Sequence, residues 1–84
     1  MEQVLHLYVT GMGVDTDAEV LDTFTVGVLV KLLSSVHGLD STIVRLLHVD
    51  PEKKTERALF EELQLWQCGL AQGSVLRLYS SLHC

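Results

Sequence analysis

The chain has 84 residues, of which 48% are hydrophobic and 20% charged, and its formal net charge at pH 7 is −5. That length accommodates one domain spanning 1–84, and the composition describes a folded globule rather than a disordered tail. The acidity excludes the footprint of a nucleic-acid binder, and the six Lys and Arg, scattered singly apart from Lys53-Lys54, give no basic surface for an anionic membrane. Cys68 and Cys84 are too few and too far apart for a disulfide-stapled secreted domain, so both are expected as reduced thiols in an intracellular protein, cytoplasmic or nuclear. No charged-then-apolar leader follows Met1 and no apolar run reaches about 18 residues, so neither a signal peptide nor a membrane span is expected.

In chain order, Val4 to Val9 is a β-rich run ended by Gly11-Met12-Gly13, where glycine permits the positive φ of a turn. An acidic loop with Asp15 and Asp17 follows, and Ala18 to Leu21 reads as a second, shorter strand of an antiparallel hairpin. The period then changes: Val26, Leu29, Val30 and Leu33 fall on one stripe of an amphipathic helix, with Thr25 as its N-cap and Gly38 as its left-handed exit. Such a helix cannot bury its stripe alone and must lie across a sheet. Ile43 to Val49 is a third strand, stopped at Asp50-Pro51 because proline has no N–H for a ladder. Residues 51–57 are charged and read as a loop or a first helical turn. Ala58 to Leu65 fits a short helix or a short strand, Cys68 to Leu70 is a turn, and Ser74 to Tyr79 is the final strand. The fold class is α+β: a mixed four- to five-stranded sheet packed on one helix, in the order ββαββ. No repeat, linker or low-complexity segment interrupts it.

These elements resemble ubiquitin and its relatives over almost the whole chain. Ala18-Glu19-Val20 followed by Thr25-Val26 is similar to the family's second strand running into its only long helix. His37-Gly38-Leu39-Asp40 resembles the exit from that helix, and Ile43-Val44-Arg45-Leu46-Leu47 the third strand with its arginine before two apolar residues. The stretch from Leu65 to Leu78 resembles the closing segment. What the resemblance implies is a ubiquitin-like β-grasp. Three departures stand out. The sequence ends Leu82-His83-Cys84 rather than in the Gly-Gly tail that activating enzymes reach, which is similar to the non-conjugated domains embedded in larger proteins; Pro51 to Glu56 is longer than the family's turn; and Gly11 to Asp17 lengthens the first hairpin.

Candidate chemistry is thin. His6, His37, His48 and His83 fall on different elements and form no close ligand pair of the kind zinc uses, so no metal site and no cofactor is expected. Adjacent His83 and Cys84 would point to opposite faces of a strand and share no proton, while Cys68 stands where the family has a buried turn residue and reads as packing. Gly11-Met12-Gly13 is a fragment of a phosphate loop without its helix, and Asp15 to Glu19 opens like a calcium loop but has Val20 where glycine is needed. No catalytic residue emerges.

That leaves surface. In the family, partners dock on the sheet face opposite the helix, and carried over by position the docking residues are Val9, Leu47, Arg77 and Tyr79. The residues argue part of this independently. Leu46 and Leu47 alternate, so one points away from the helix, and Arg77 and Tyr79 lie two apart on one face of the last strand. Aromatic area beside an arginine fork is chemistry that interfaces favour. The expectation is a non-catalytic interaction module of a larger protein, monomeric as an isolated domain, docking ubiquitin-system receptors or adaptors. Alternatives are a modifier or sulfur-carrier precursor cut before a Gly-Gly tail, and a Ras-binding or scaffold β-grasp domain.

Overall fold

The computed structural model describes residues 2–82; the readings of His83 and Cys84 lie outside the described residues. An antiparallel hairpin of β1 (Val4–Gly11) and β2 (Val14–Leu21) is followed by helix α1 (Val26–His37), a second hairpin of β3 (Val44–Asp50) and β4 (Thr55–Ala58), a 3₁₀ turn (Leu65–Cys68) and β5 (Val75–Ser80). The strands lie in the order β2-β1-β5-β3-β4. β1 and β5 run parallel at the centre, and the other neighbours are antiparallel. This is the ubiquitin-like β-grasp expected from the sequence: one helix clasped by a mixed sheet.

Alternation decides which side of the sheet holds the core. Leu5, Leu7 and Val9 of β1, Val44 and Leu46 of β3, and Leu76 and Leu78 of β5 are buried and face the helix. The helix returns Val26, Leu29, Val30 and Leu33, the predicted stripe. Each such side chain contributes about 1.5–3 kcal/mol relative to exposure, so this shared layer is what the fold rests on. The expected caps are present. Thr25 Oγ1 accepts the Val28 N–H at 3.2 Å, and Gly38, at φ 68°, donates its N–H to the Ser34 carbonyl. Ser34 itself is buried, and among the described residues its hydroxyl has no hydrogen-bond partner.

Two expectations need correction. The acidic loop is not a loop: β2 begins at Val14, and the turn is only Met12-Gly13, with φ of 54° and 78°. Two positive φ angles make the mirror-image turn whose twist matches its strands, so pairing continues to the turn itself. Its neighbour Gly11, at φ 99°, lies so close to β5 that a Cβ there would be driven into the Leu78 carbonyl oxygen. Second, residues 51–57 are neither a loop nor a helical turn throughout, because Thr55–Ala58 is β4, paired to Leu47–Asp50 of β3. Asp50 reverses the chain: its Oδ1 accepts the N–H groups of Glu52 and Lys53 at 3.1 and 3.2 Å, and Lys54 adopts the left-handed conformation, φ 54°. The ambiguous stretch after β4 is held without regular structure until the 3₁₀ turn, by buried Leu59 and Leu65 and a backbone bond from Leu65 N–H to the Phe24 carbonyl.

Candidate functional site

The alternation that buries one face of each strand projects its other residues onto the uncovered side of the sheet. On β5 these are Val75, Arg77 and Tyr79; on β3, Arg45, Leu47 and Val49; on β1, His6, Tyr8 and Thr10. The register sets them in rows. Arg77 lies between Thr10 and Leu47, Val75 lies between Tyr8 and Val49, and Tyr79 pairs with Arg45. Leu47, Arg77 and Tyr79 are thereby brought onto one open face, as expected. Leu47 and Tyr79 are half-buried, and Tyr8 is 48% exposed.

Val9 does not belong to that face. It is fully buried, beside Leu76, in the layer under the helix. Its parity is that of Leu5 and Leu7, so carrying a docking role to it by position placed the site one residue off along a strand whose side chains alternate. Tyr8 is the outward residue of β1 instead. The signal was present in the apolar run Leu5, Leu7, Val9, which commits the intervening Tyr8 to the other side. Val75 and Val49, missed at first, share parity with Arg77 and Leu47.

Charge is distributed unevenly over this face. Arg77 donates from Nη2 to Glu56 Oε1 at 2.8 Å, reaching from β5 across β3 to β4, so its side chain spans the face rather than standing free. Arg45 is fixed by the carbonyl oxygens of Val44 and Thr42 at 2.8 and 3.3 Å and by Glu61 at 3.3 Å. Exposed pairs of this kind contribute little stability, about 0–1 kcal/mol each, and mainly restrict rotamers. On the far side, Asp15, Asp17 and Glu19 are exposed along β2. Asp17 holds the His6 ring at 2.9 Å, and that ring stacks on Tyr8 with centroids 5.4 Å apart. The result is an apolar and aromatic centre with one arginine, bordered by an acidic strand.

Elsewhere the titratable groups favour packing over chemistry. The Cys68 thiol is buried, donates to the Gln64 carbonyl at 3.5 Å, and burial pushes its pKa up, away from the thiolate a nucleophile needs. Burial, and secondarily the Arg57 cation, lower the pKa of His48. The Thr42 hydroxyl and N–H hold the Asp40 carboxyl below its ordinary value. Among the described residues, no three His, Cys, Asp or Glu side chains converge as a metal site would require. No described helix is long and apolar enough to cross a membrane.

The fold has close structural counterparts. A ubiquitin of Caldiarchaeum subterraneum superposes with a TM-score of 0.78 at 22% identity, over 93% of this chain and 94% of that one. The C-terminal ubiquitin-like domain of mouse tubulin-specific chaperone e superposes with a TM-score of 0.83 at 18% identity, over 98% of this chain and 91% of that one. A chain of the pParkin-pUb-UbcH7 complex matches 95% of this chain over 24% of its own length, at 18% identity and a TM-score of 0.77. No family model and no curated protein matches the sequence. At such identities the likeness is one of fold.

Proposed function

We propose that this ubiquitin-like fold serves as a non-catalytic interaction module, docking a protein partner through the open face of its sheet. The observation that supports this reading is the register itself, which collects Leu47, Arg77, Tyr79 and Tyr8 on the side the helix leaves uncovered. Tyr, Arg and Leu at the centre of a face, with charge at its margin, are the composition of a recognition patch. Receptors and adaptors of the ubiquitin system are the partners proposed, within a larger intracellular protein, cytoplasmic or nuclear, and with the isolated domain monomeric. A neighbour of the same fold occurs in a complex whose name joins pParkin, pUb and UbcH7.

The test is an affinity series against a proteasomal ubiquitin-receptor subunit. Leu47→Ala and Tyr79→Ala should each weaken binding by about 5- to 30-fold, the range of a central anchor. Unchanged affinity in both would move the site elsewhere. A scaffold or Ras-binding role is a second reading, favoured by the exposed acids spaced two apart along edge strand β2. It would show as retention of a small GTPase that is lost when Asp15, Asp17 and Glu19 are made neutral.

A further inference from the structure

The outer part of the β3–β4 hairpin, residues 53–57, supplies no docking residue to the patch above, yet it carries half of the chain's basic residues. Of the six Lys and Arg, three (Lys53, Lys54, Arg57) fall within 53–57, in a chain of net charge −5. Arg45 and Arg77 are each paired to a glutamate, whereas among the described residues Lys53, Lys54 and Arg57 enter no ion pair. The hairpin and the segment after it border an open groove of about 890 Å³, within the size range of ligand-binding clefts. Lys53 and Arg57 of the hairpin and Phe60, Leu63, Cys68 and Gly69 of the segment after it line this groove.

Three features make this a built site rather than a gap. Arg57 donates from Nη2 to the Cys68 carbonyl at 2.6 Å, which fixes its guanidinium in the groove while its other N–H groups have no described partner. Phe60 is 65% exposed, a large apolar side chain left in solvent on a groove that two cations also line. The hairpin that carries Lys53 is held by the Asp50 turn and four backbone pairs, so the backbone from which its charge projects is set in advance. Among the described residues Asp50 is the one carboxylate that lines the groove, and its Oδ1 already accepts two backbone N–H groups. His48, with its pKa lowered, adds no positive charge at neutral pH.

We propose that this groove is a second docking site, separate from the sheet face, for an extended acidic peptide segment bearing one bulky apolar side chain. Carboxylates would meet Lys53 and Arg57, and the apolar residue would cover Phe60 and Leu63. β4 is the sheet's edge, so a segment lying along it also meets unpaired backbone groups. A nucleic acid could meet the cations but would leave Phe60 and Leu63 without an apolar partner.

The probe is a fluorescein-labelled peptide of alternating glutamates around a central phenylalanine, added to the full ¹⁵N-labelled chain. Saturable binding should shift the amides of Lys53, Arg57, Phe60 and Gly69 and weaken steeply with salt. Lys53→Glu and Phe60→Ala, both at exposed positions, should each reduce affinity about fivefold with the spectrum otherwise intact. The proposal is overturned if the probe does not bind, if its shifts map to Leu47 and Tyr79, or if neither variant weakens it. It is equally overturned if a thymidine oligonucleotide or a glutamate peptide lacking phenylalanine binds as well. Loss of the sheet-face reading would leave these outcomes unaffected, because the residues do not overlap.

Discussion

At one edge of the sheet, β2 runs for eight residues beside β1 and is joined to it by the two-residue turn Met12-Gly13. At the other, β4 runs for four residues beside β3 after the turn at 51–54, and all four are exposed. β2 returns a buried Val14 and a packed Val20 to the core side, so tertiary contacts as well as backbone bonds hold its register. β4 packs nothing of its own into the core and depends on turn chemistry and ladder bonds. The first edge is thus an extension of the core, and the second is an exposed appendage that presents charge. A strand can be specified by the residues it buries or by the turn that delivers it, and this molecule uses each once.

The comparison can be broken most severely at Gly11. Its positive φ and its contact with β5 leave no room for a side chain, so Gly11→Ala should cost about 3 kcal/mol, read as a lower denaturant midpoint. A loss under about 0.5 kcal/mol would show that the first hairpin is not locked to β5 as described. Val9→Ala should cost about 2 kcal/mol and leave partner affinity unchanged in the folded fraction, which separates its core role from the docking role first assigned to it. Met12→Asn should raise stability by about 1 kcal/mol, because asparagine tolerates the left-handed conformation that Met12 is made to adopt.

The smallest effect lies in the second hairpin. His48 has a lowered pKa in the fold, so the unfolded chain binds a proton more readily than the folded one below the ordinary value of 6.5. Its stabilising contribution is therefore complete above that pH and is lost as pH falls through the folded value. His48→Gln should flatten that part of the stability profile; a profile that keeps its slope would place the titration elsewhere.

Legibility followed the same division. Helix α1, with its stripe and both caps, and the existence of β3 and β5 as strands were readable because apolar period and cap residues agree there. So was the outward placement of Leu47, Arg77 and Tyr79. β2 was shortened because Asp15, Thr16 and Asp17 look like loop residues, although one face of an edge strand is free to be charged. β4 was missed because Thr55 to Ala58 buries nothing, so no hydrophobic alternation marks it. Val9 was misplaced through family position where strand parity, already visible in Leu5 and Leu7, pointed to Tyr8. The groove was illegible for a different reason: Arg57 and Phe60 acquire a common site only when residues 59–69 fold back beside the hairpin.

The central claim is that the sheet's uncovered side is where a partner docks. It is met most directly by titrating the ¹⁵N-labelled chain with an unlabelled proteasomal receptor subunit and mapping amide shifts. The account predicts a continuous set at Tyr8, Leu47, Val75, Arg77 and Tyr79, with the core-facing Val9 and Leu46 changing little. Shifts confined to α1 or to β2, with those five unmoved, would contradict it.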